Sequence, residues 1–231
     1  NFLTQENILF TSQYGFRQGH STIQATTELL YNILHGFEDN KFSLALFLDL
    51  SKAFDTIDHS IMLKKLEYYG IRGLPLKWFE SYLCNRKQFV SYNGVKSKVL
   101  PITCGVPQGS VLGPLLFLIY MNDLPNTLQL CKALLFADDT TIHYTHENID
   151  TLYQIVNNDL SQASDWFRAN KLSINASKTY YLVFHSRYME VPDNNHAIFL
   201  ADSEIQRADF IKFLGLFIDE KLEWNKHTSV I

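Results

Sequence analysis

The sequence predicts an α+β fold in which helices and strands are interleaved and several strands form hairpins. Of its 231 residues, 46% are hydrophobic and 19% are charged, which is the balance of a folded chain with a substantial core. Strand-like and helix-like segments follow one another without the regular rhythm of a parallel α/β sheet, and two pairs of strand-like segments flank short polar turns. The length fits one large domain or two intimately joined subdomains.

Apolar residues that recur at the helical period predict five helices. Ser21 or Thr22 can cap the first helix, Gly70 can end the second, and Pro75 lies near the first turn of the third. The fourth segment is apolar on almost every side, which indicates a buried helix. The predicted helices cover residues 21–37, 59–69, 75–84, 111–123 and 148–170.

Runs of aliphatic, β-branched and aromatic residues predict the strands. The nearly continuous apolar run of residues 42–50 indicates a buried strand, and Asp49 lies where that strand ends. Asn93-Gly94 between two β-prone runs predicts a hairpin. The remaining predictions are a hairpin over residues 133–144 with two acids at its tip, strands at 180–184 and 210–218, and a polar loop at 187–196.

The overall charge gives no support for binding nucleic acid. The formal net charge is -4 and the sequence pI is about 6.1, whereas nucleic-acid-binding domains usually carry a basic excess or a basic face. A local basic groove within an acidic chain remains compatible with these values.

The three cysteines, Cys84, Cys104 and Cys131, are widely separated, which argues against a disulfide framework or a zinc site and favours a reducing, intracellular compartment. No apolar run approaches about 18 residues, so no membrane span is expected. Both ends of the chain resemble cut ends, so we expect residues 1–231 to form one core within a longer polypeptide.

Three acids lie beside hydrophobic strand sequence: Asp49 at the end of one predicted strand, and Asp138 and Asp139 at the tip of a predicted hairpin. An ionised carboxylate next to a core is costly unless it is paired or holds a metal. Oxygen ligands suit Mg²⁺, and the acids could hold two ions if the two strands are neighbours. The alternative, in which the Asp-Asp pair simply makes a polar turn, stays open from these residues alone.

Six segments, taken together and in order, resemble the reverse transcriptase domain of non-LTR retrotransposons of the LINE class, jockey-like elements among them. The segments are residues 13–22 (QYGFRQGHST), 47–59 (FLDLSKAFDTIDH), 105–114 (GVPQGSVLGP), 136–139 (FADD), 170–179 (NKLSINASKT) and 213–215 (FLG). The resemblance implies the palm and fingers of a right-hand polymerase, interleaved in sequence. It implies an antiparallel palm sheet packed on helices and a thumb that is largely missing.

The same resemblance implies a catalytic centre. Asp49, Asp138 and Asp139 match the family's catalytic carboxylates. The Leu50 backbone carbonyl is expected to join them around two Mg²⁺ ions, for which Mn²⁺ is a possible substitute. Lys178 matches a lysine that could donate a proton to the leaving pyrophosphate.

Further positions are expected to contact the substrate. Phe54 matches an aromatic residue beneath the sugar, where a ring would exclude a 2′-hydroxyl. Gln108 and Gly109 match a loop that approaches the incoming nucleotide and the template base. Arg17 matches an arginine that clamps the triphosphate, a task that suits a bidentate guanidinium.

The resemblance implies an RNA-directed DNA polymerase, a nucleotidyltransferase that binds an RNA template, a DNA primer and a deoxynucleoside triphosphate. It also implies an endonuclease domain elsewhere in the parent polypeptide and, from the family's habit of priming at chromosomal DNA, a nuclear location. Three alternatives remain: an RNA-directed RNA polymerase, which Phe54 disfavours; a non-catalytic RNA-binding scaffold, which has no need of the three acids; and a metal phosphatase, which leaves the glycine and fingers motifs unexplained.

Overall fold

The structure, a computed structural model, describes residues 2–192 and 196–230. Within these ranges the helices are α1 (Phe2–Gln5), α2 (Thr22–Glu38), α3 (His59–Tyr68), α4 (Leu74–Leu83), α5 (Leu112–Met121), α6 (Ile149–Ala169) and α7 (Asn225–Val230). Ser21 caps α2, and its hydroxyl accepts a hydrogen bond from the backbone N–H of Gln24. The five predicted helices are therefore confirmed, with ends that agree to within a residue or two.

The strands in the same ranges are β1 (Phe42–Leu48), β2 (Lys87–Gln88), β3 (Ser91–Tyr92), β4 (Val95–Lys96), β5 (Leu100–Pro101), β6 (Lys132–Phe136), β7 (Asp139–His146), β8 (Tyr180–Phe184), β9 (Ile198–Leu200), β10 (Ser203–Arg207), β11 (Phe210–Phe213) and β12 (Leu216–Asp219). Six of them form the main sheet in the order β6-β7-β1-β8-β10-β9. Its neighbours are antiparallel except for β8 and β10, which are parallel. The expected antiparallel sheet is thus mixed at one position.

Strand β1 lies in the middle of the sheet and all seven of its residues are buried. Its alternate residues face opposite sides, as the two-residue period of a strand requires. Leu44, Leu46 and Leu48 enter a large core with α3, α5 and α6. Ala45 and Phe47 enter a smaller core with α2 and the β11–β12 hairpin. Burial on both faces explains why this strand is a continuous apolar run in the sequence.

One prediction for the later part of the chain is wrong in detail, and two strands there were missed. Residues 210–218 form a hairpin instead of a single strand, because the chain reverses at Leu214 and Gly215, which both have positive φ. Strands β9 and β10 were not predicted, since β10 has only one buried residue and its sequence is largely polar. The predicted loop 187–196 lies partly outside the described residues, and its described residues form no helix or strand.

The predicted hairpin at Asn93-Gly94 is confirmed, but it belongs to a longer ribbon. Strands β3 and β4 form its inner pair, and β2 and β5 form a second pair at its base. Every residue from 85 to 101 is exposed. We call residues 85–101 the ribbon; it is joined to the rest of the molecule without contributing to either core.

Cys84, Cys104 and Cys131 are free thiols in the structure. None of the helices in the described part of the chain has the length and apolar character needed to cross a membrane.

Candidate active site

The three predicted acids meet at one end of the central strands. Strands β1 and β7 are antiparallel neighbours with Leu48 opposite Thr140, so the residues that follow in register, Asp49 and Asp139, come side by side. Asp138 occupies the turn between β6 and β7. The sequence predicts a metal site here if these two strands are neighbours. In the structure they are neighbours.

The acid turn is attached to the N-terminal motif. Residues 12–15 run beside β6, with hydrogen bonds from Tyr14 N–H to the Leu135 carbonyl and from Leu135 N–H to the Ser12 carbonyl. The buried side-chain oxygen of Gln13 accepts hydrogen bonds from the backbone N–H groups of Gly15 and Ala137, at 2.8 and 3.1 Å. One amide oxygen therefore holds together the N-terminal motif and the residue that precedes the acid pair.

Asp49 is positioned by the segment that follows α6. Its backbone N–H donates to the Thr179 hydroxyl at 3.2 Å, and its carbonyl accepts from Asn175 N–H at 2.8 Å. Thr179 is fully buried. The two hydrogen bonds of Asp49 hold residues 175–179, which precede β8, beside the end of β1.

A cleft of about 320 Å³ opens between these elements. Asp49 and Asp139 lie on its wall together with Lys178 and Lys212, and Phe213 and Leu214 also line it. The structure thus places Lys178 in the same cleft as Asp49 and Asp139, whereas Asp138 stands outside the lining of this cleft. The lysines make the cleft suitable for an anionic group next to the carboxylates.

The three carboxylates are close enough to influence one another. Partial desolvation raises the pKa of Asp139, and the negative charges of Asp138 and Asp49 raise it further. No Lys, Arg or His of residues 2–192 and 196–230 forms an ion pair with any of the three. Neighbouring carboxylates that lack such an ion pair fit a site for a divalent cation.

The available ligands suit Mg²⁺ bound jointly with substrate. Within the described ranges, no three His, Cys, Asp or Glu side chains form a ready metal-binding group. Backbone bonds from Ser51 N–H to the Ser173 carbonyl and from Asn175 N–H to the Asp49 carbonyl flank Leu50, whose own carbonyl accepts no hydrogen bond from the described residues. Mg²⁺ is usually held by one or two carboxylates with substrate phosphates, so the acids and this carbonyl fit such an ion.

A second group of predicted residues meets around the glycine loop. The Phe54 carbonyl accepts from Val106 N–H at 2.9 Å, and the Gln108 side chain donates to Asp55 at 2.8 Å. Gly105 has φ +83° and packs so closely on the Asp55 backbone that a Cβ would lie 2.8 Å from its carbonyl oxygen. Gly109 also has positive φ and lies in open space. Phe54 and the Gln108 loop therefore form one unit.

The Phe54 ring is fixed by two aromatic neighbours. It stacks on Phe117 with ring centroids 4.4 Å apart, and the Phe16 ring is nearly perpendicular to it, with centroids 6.3 Å apart. Phe16 belongs to the N-terminal motif, so that motif contacts both the acid turn and Phe54.

Arg17 lies in the same motif, but its observed contacts are structural. One guanidinium nitrogen donates to the carbonyls of Phe10 and Gln13 at 2.9 and 3.2 Å. Arg17 is not part of the acid cleft, so its role at the triphosphate stays a prediction.

Sequence reasoning missed three residues of this site. Gln13 lies in the N-terminal motif and has no role in the resemblance, although its side chain ties that motif to Ala137. Asp55 was given no chemistry, yet it holds Gln108. Lys212 lines the acid cleft, and its place immediately before the 213–215 motif was the available signal.

Charge repulsion among the acids should reduce stability. A carboxyl whose pKa is higher in the folded than in the unfolded protein destabilises the fold when ionised, and this cost disappears as the pH falls through the raised pKa of Asp139. Asp138→Asn should therefore raise the melting temperature of the metal-free protein by about 1–3 °C near neutral pH. In mildly acidic buffer the increase should shrink. Asp202→Asn, which neutralises an exposed carboxylate in the β9–β10 turn, is the matched control and should change nothing.

Comparison with known proteins supports the resemblance. Residues 1–218 match the family model described as reverse transcriptase (RNA-dependent DNA polymerase). The chain is 30% identical over 240 residues to the probable RNA-directed DNA polymerase from transposon BS of Drosophila melanogaster, covering 98% of this chain and 26% of that protein. It is 29% identical over 229 residues to the RNA-directed DNA polymerase from mobile element jockey of the same species, covering 95% and 24%. The chain spans about a quarter of the length of these relatives.

Solved structures agree on the fold. The structure of telomerase from Candida albicans in complex with a fragment of telomeric RNA matches with a TM-score of 0.61 at 14% identity, over 96% of this chain and 36% of that one. Apo telomerase from Candida tropicalis, truncated from its C-terminal domain, matches with a TM-score of 0.58 at 16% identity, over 86% and 39%. The six-stranded sheet with helices on both faces is thus the palm and fingers fold, and the chain belongs to the reverse transcriptase (RNA-dependent DNA polymerase) family.

Proposed function

We propose that this chain extends a DNA primer by copying an RNA template, as the polymerase part of a retrotransposon protein. The observation that carries the proposal is the pairing of β1 with β7, which sets Asp49 beside Asp139, next to Asp138, at a cleft that also holds Lys178. Family membership and the retrotransposon relatives support the template and the product. The association with an endonuclease domain and the nuclear location expected of the family stay predictions.

Two Mg²⁺ ions, or Mn²⁺ in their place, would be held by Asp49, Asp138 and the Leu50 carbonyl, with Asp139 adding negative charge. When bound, they would activate the primer 3′-hydroxyl and balance the charge of the triphosphate and of the leaving pyrophosphate. The metal-free acids already show the mutual repulsion that a divalent cation would relieve.

The protein's own residues would orient the reactants. The Phe54 ring, backed by Phe117, would lie beneath the sugar. Gln108, held by Asp55, would contact the incoming nucleotide and the template base, and Gly109 would let the backbone come close. Arg17 would bind the triphosphate, and Lys178 would donate a proton to the leaving group.

Primer extension on an RNA template tests this function. With deoxynucleotides and Mg²⁺ the chain should lengthen a DNA primer by the templated bases, and removal of the metal by EDTA should stop it. Extension with ribonucleotides instead of deoxynucleotides would favour an RNA polymerase. Template binding without extension in Mg²⁺ or in Mn²⁺ would favour a non-catalytic scaffold.

Phe54→Val should weaken the choice of deoxynucleotide over ribonucleotide by about 10–100-fold, because the smaller side chain leaves room for a 2′-hydroxyl. The measurement is the ratio of kcat/KM for dCTP and CTP opposite a template G. Phe210→Val, a similar change at an exposed ring on β11, should leave the ratio unaltered. An unaltered ratio in Phe54→Val would remove Phe54 from this role.

A further inference from the structure

Basic charge is concentrated in one stretch of this acidic chain. Residues 61–101 hold eight of the 20 Lys and Arg residues but only two of the 24 Asp and Glu residues. Lys65 is buried and paired with Asp123. The other seven are exposed, and none of them forms an ion pair with the rest of the described chain: Lys64, Arg72, Lys77, Arg86, Lys87, Lys96 and Lys98. The stretch spans most of α3, all of α4 and the whole ribbon, and its charge favours a polyanionic partner.

The outer face of α4 carries aromatic rings in the middle of this basic stretch. Leu74, Trp78 and Tyr82 follow one another at four-residue spacing, which places them on one side of the helix. Trp78 is 53% exposed and Leu74 81% exposed, whereas Tyr82 is half-buried and packs against the large core. The Trp78 and Tyr82 rings are stacked with centroids 5.3 Å apart and an angle of 10°. Arg86 continues the stack, with its guanidinium 5.7 Å from the Tyr82 ring centroid.

This stack leads to the glycine loop. Arg86 also lines a pocket of about 560 Å³ whose other walls include Gln88, Cys104 and Gln108. The ring stack on α4 is therefore connected, through Arg86, to the side chain proposed to contact the template base.

We propose that the outer face of α4, extended by Arg86, binds the unpaired part of an RNA template before it reaches Gln108. Flat rings stack on the faces of unpaired bases, which a duplex hides, and the surrounding Lys and Arg side chains attract the phosphates. The seven unpaired cations favour this occupant over a protein, which would have to supply matching acids. The inference rests on the proposed function, because in that function the template base that is being copied lies against Gln108.

The test compares two RNA templates annealed to one fluorescent DNA primer, one with a single-nucleotide 5′ overhang and one with a long 5′ overhang. Fluorescence anisotropy in EDTA gives the two dissociation constants without any reaction. The wild-type chain should bind the long overhang about tenfold more tightly, since one base stacked on an aromatic ring is worth roughly 5- to 150-fold in affinity. Trp78→Ala and Arg86→Gln should bring the ratio towards one, and Trp78→Phe should restore most of it.

Tyr31→Ala is the matched control. Tyr31 is also an exposed helical ring stacked on a neighbour, His35, but it lies on α2, outside the basic stretch. Its substitution should leave the ratio at the wild-type value. An equal loss in Tyr31→Ala would overturn the proposal.

Two other results would also overturn it. A wild-type ratio near one, together with normal extension on the short-overhang template, would refute this binding surface and leave the proposed polymerase function standing. A ratio unchanged in Trp78→Ala, with altered self-association in sedimentation, would identify the α4 face as a protein contact instead. Because Trp78 is largely exposed, its truncation should not unfold the chain, and circular dichroism of each variant checks this.

Discussion

Replacing Asp138 by Asn is expected to reduce primer extension by at least about 10³-fold, roughly 4 kcal/mol of transition-state stabilisation. Asparagine keeps the shape of the side chain and removes the charge that would hold a divalent cation. Asp49→Asn should cause a comparable loss, because β1 sets this carboxylate at the same site. The measurement is single-turnover extension of a DNA primer on an RNA template with saturating Mg²⁺.

Asp139→Asn discriminates between two arrangements of the acid pair. The proposed function counts Asp138 among the metal ligands and Asp139 as added negative charge, so Asp139→Asn should retain more activity than Asp138→Asn. The cleft wall, however, contains Asp139 with Asp49. A larger loss in Asp139→Asn would make Asp139 the partner of Asp49. The control Asp202→Asn should extend normally, and full activity in Asp138→Asn would refute the metal site.

Gly15→Ala is expected to damage both stability and catalysis. A Cβ at this position would lie 2.1 Å from the Ala137 nitrogen and 2.8 Å from the Phe136 carbonyl carbon, so the backbone of the acid turn must move. Overpacking of this kind costs about 1–3 kcal/mol. A shift of about 1 Å at a reacting group can cost around 10²-fold in rate. Thermal unfolding and kcat/KM for primer extension measure the two effects.

Gly19→Ala separates this collision from the general effect of losing a glycine. Gly19 lies in the same motif and has φ +79°, but nothing lies within 4 Å of its hypothetical Cβ. The variant should lose about 1 kcal/mol of stability through backbone strain and keep near-normal activity per folded molecule. Wild-type kinetics in Gly15→Ala would show that the acid turn tolerates displacement.

Local patterns predicted those parts of the fold that depend on neighbouring residues. The apolar run of β1, the cap at Ser21 and the turn at Asn93-Gly94 each carry their own signal, and each is found in the structure. Strand β10 lacks such a signal, because it pairs at the sheet through backbone bonds while its side chains remain largely exposed. The reversal at Gly215 did have a signal, the glycine itself.

The parts of the site that depend on contacts between distant residues could not be predicted from the sequence. The acids could be named from their place beside strands, but their meeting depends on which strands pair. The bonds from Gln108 to Asp55 and from Ala137 to Gln13 join residues far apart in sequence, and no local pattern reveals them. The basic stretch of residues 61–101 differs from these contacts, because it is contiguous in sequence and only the net charge of -4 fails to show it.

The ribbon of residues 85–101 has a practical consequence. Because none of its side chains is buried, we expect the ribbon to open without unfolding the two cores. Doubling the length of such a loop costs only about 0.6 kcal/mol in closure entropy, so a peptide tag inserted at Asn93-Gly94 should leave the rest of the molecule intact. We also expect a protease to cut the chain at this tip under native conditions before it cuts the two cores. A label attached at the tip would report on the neighbouring surface.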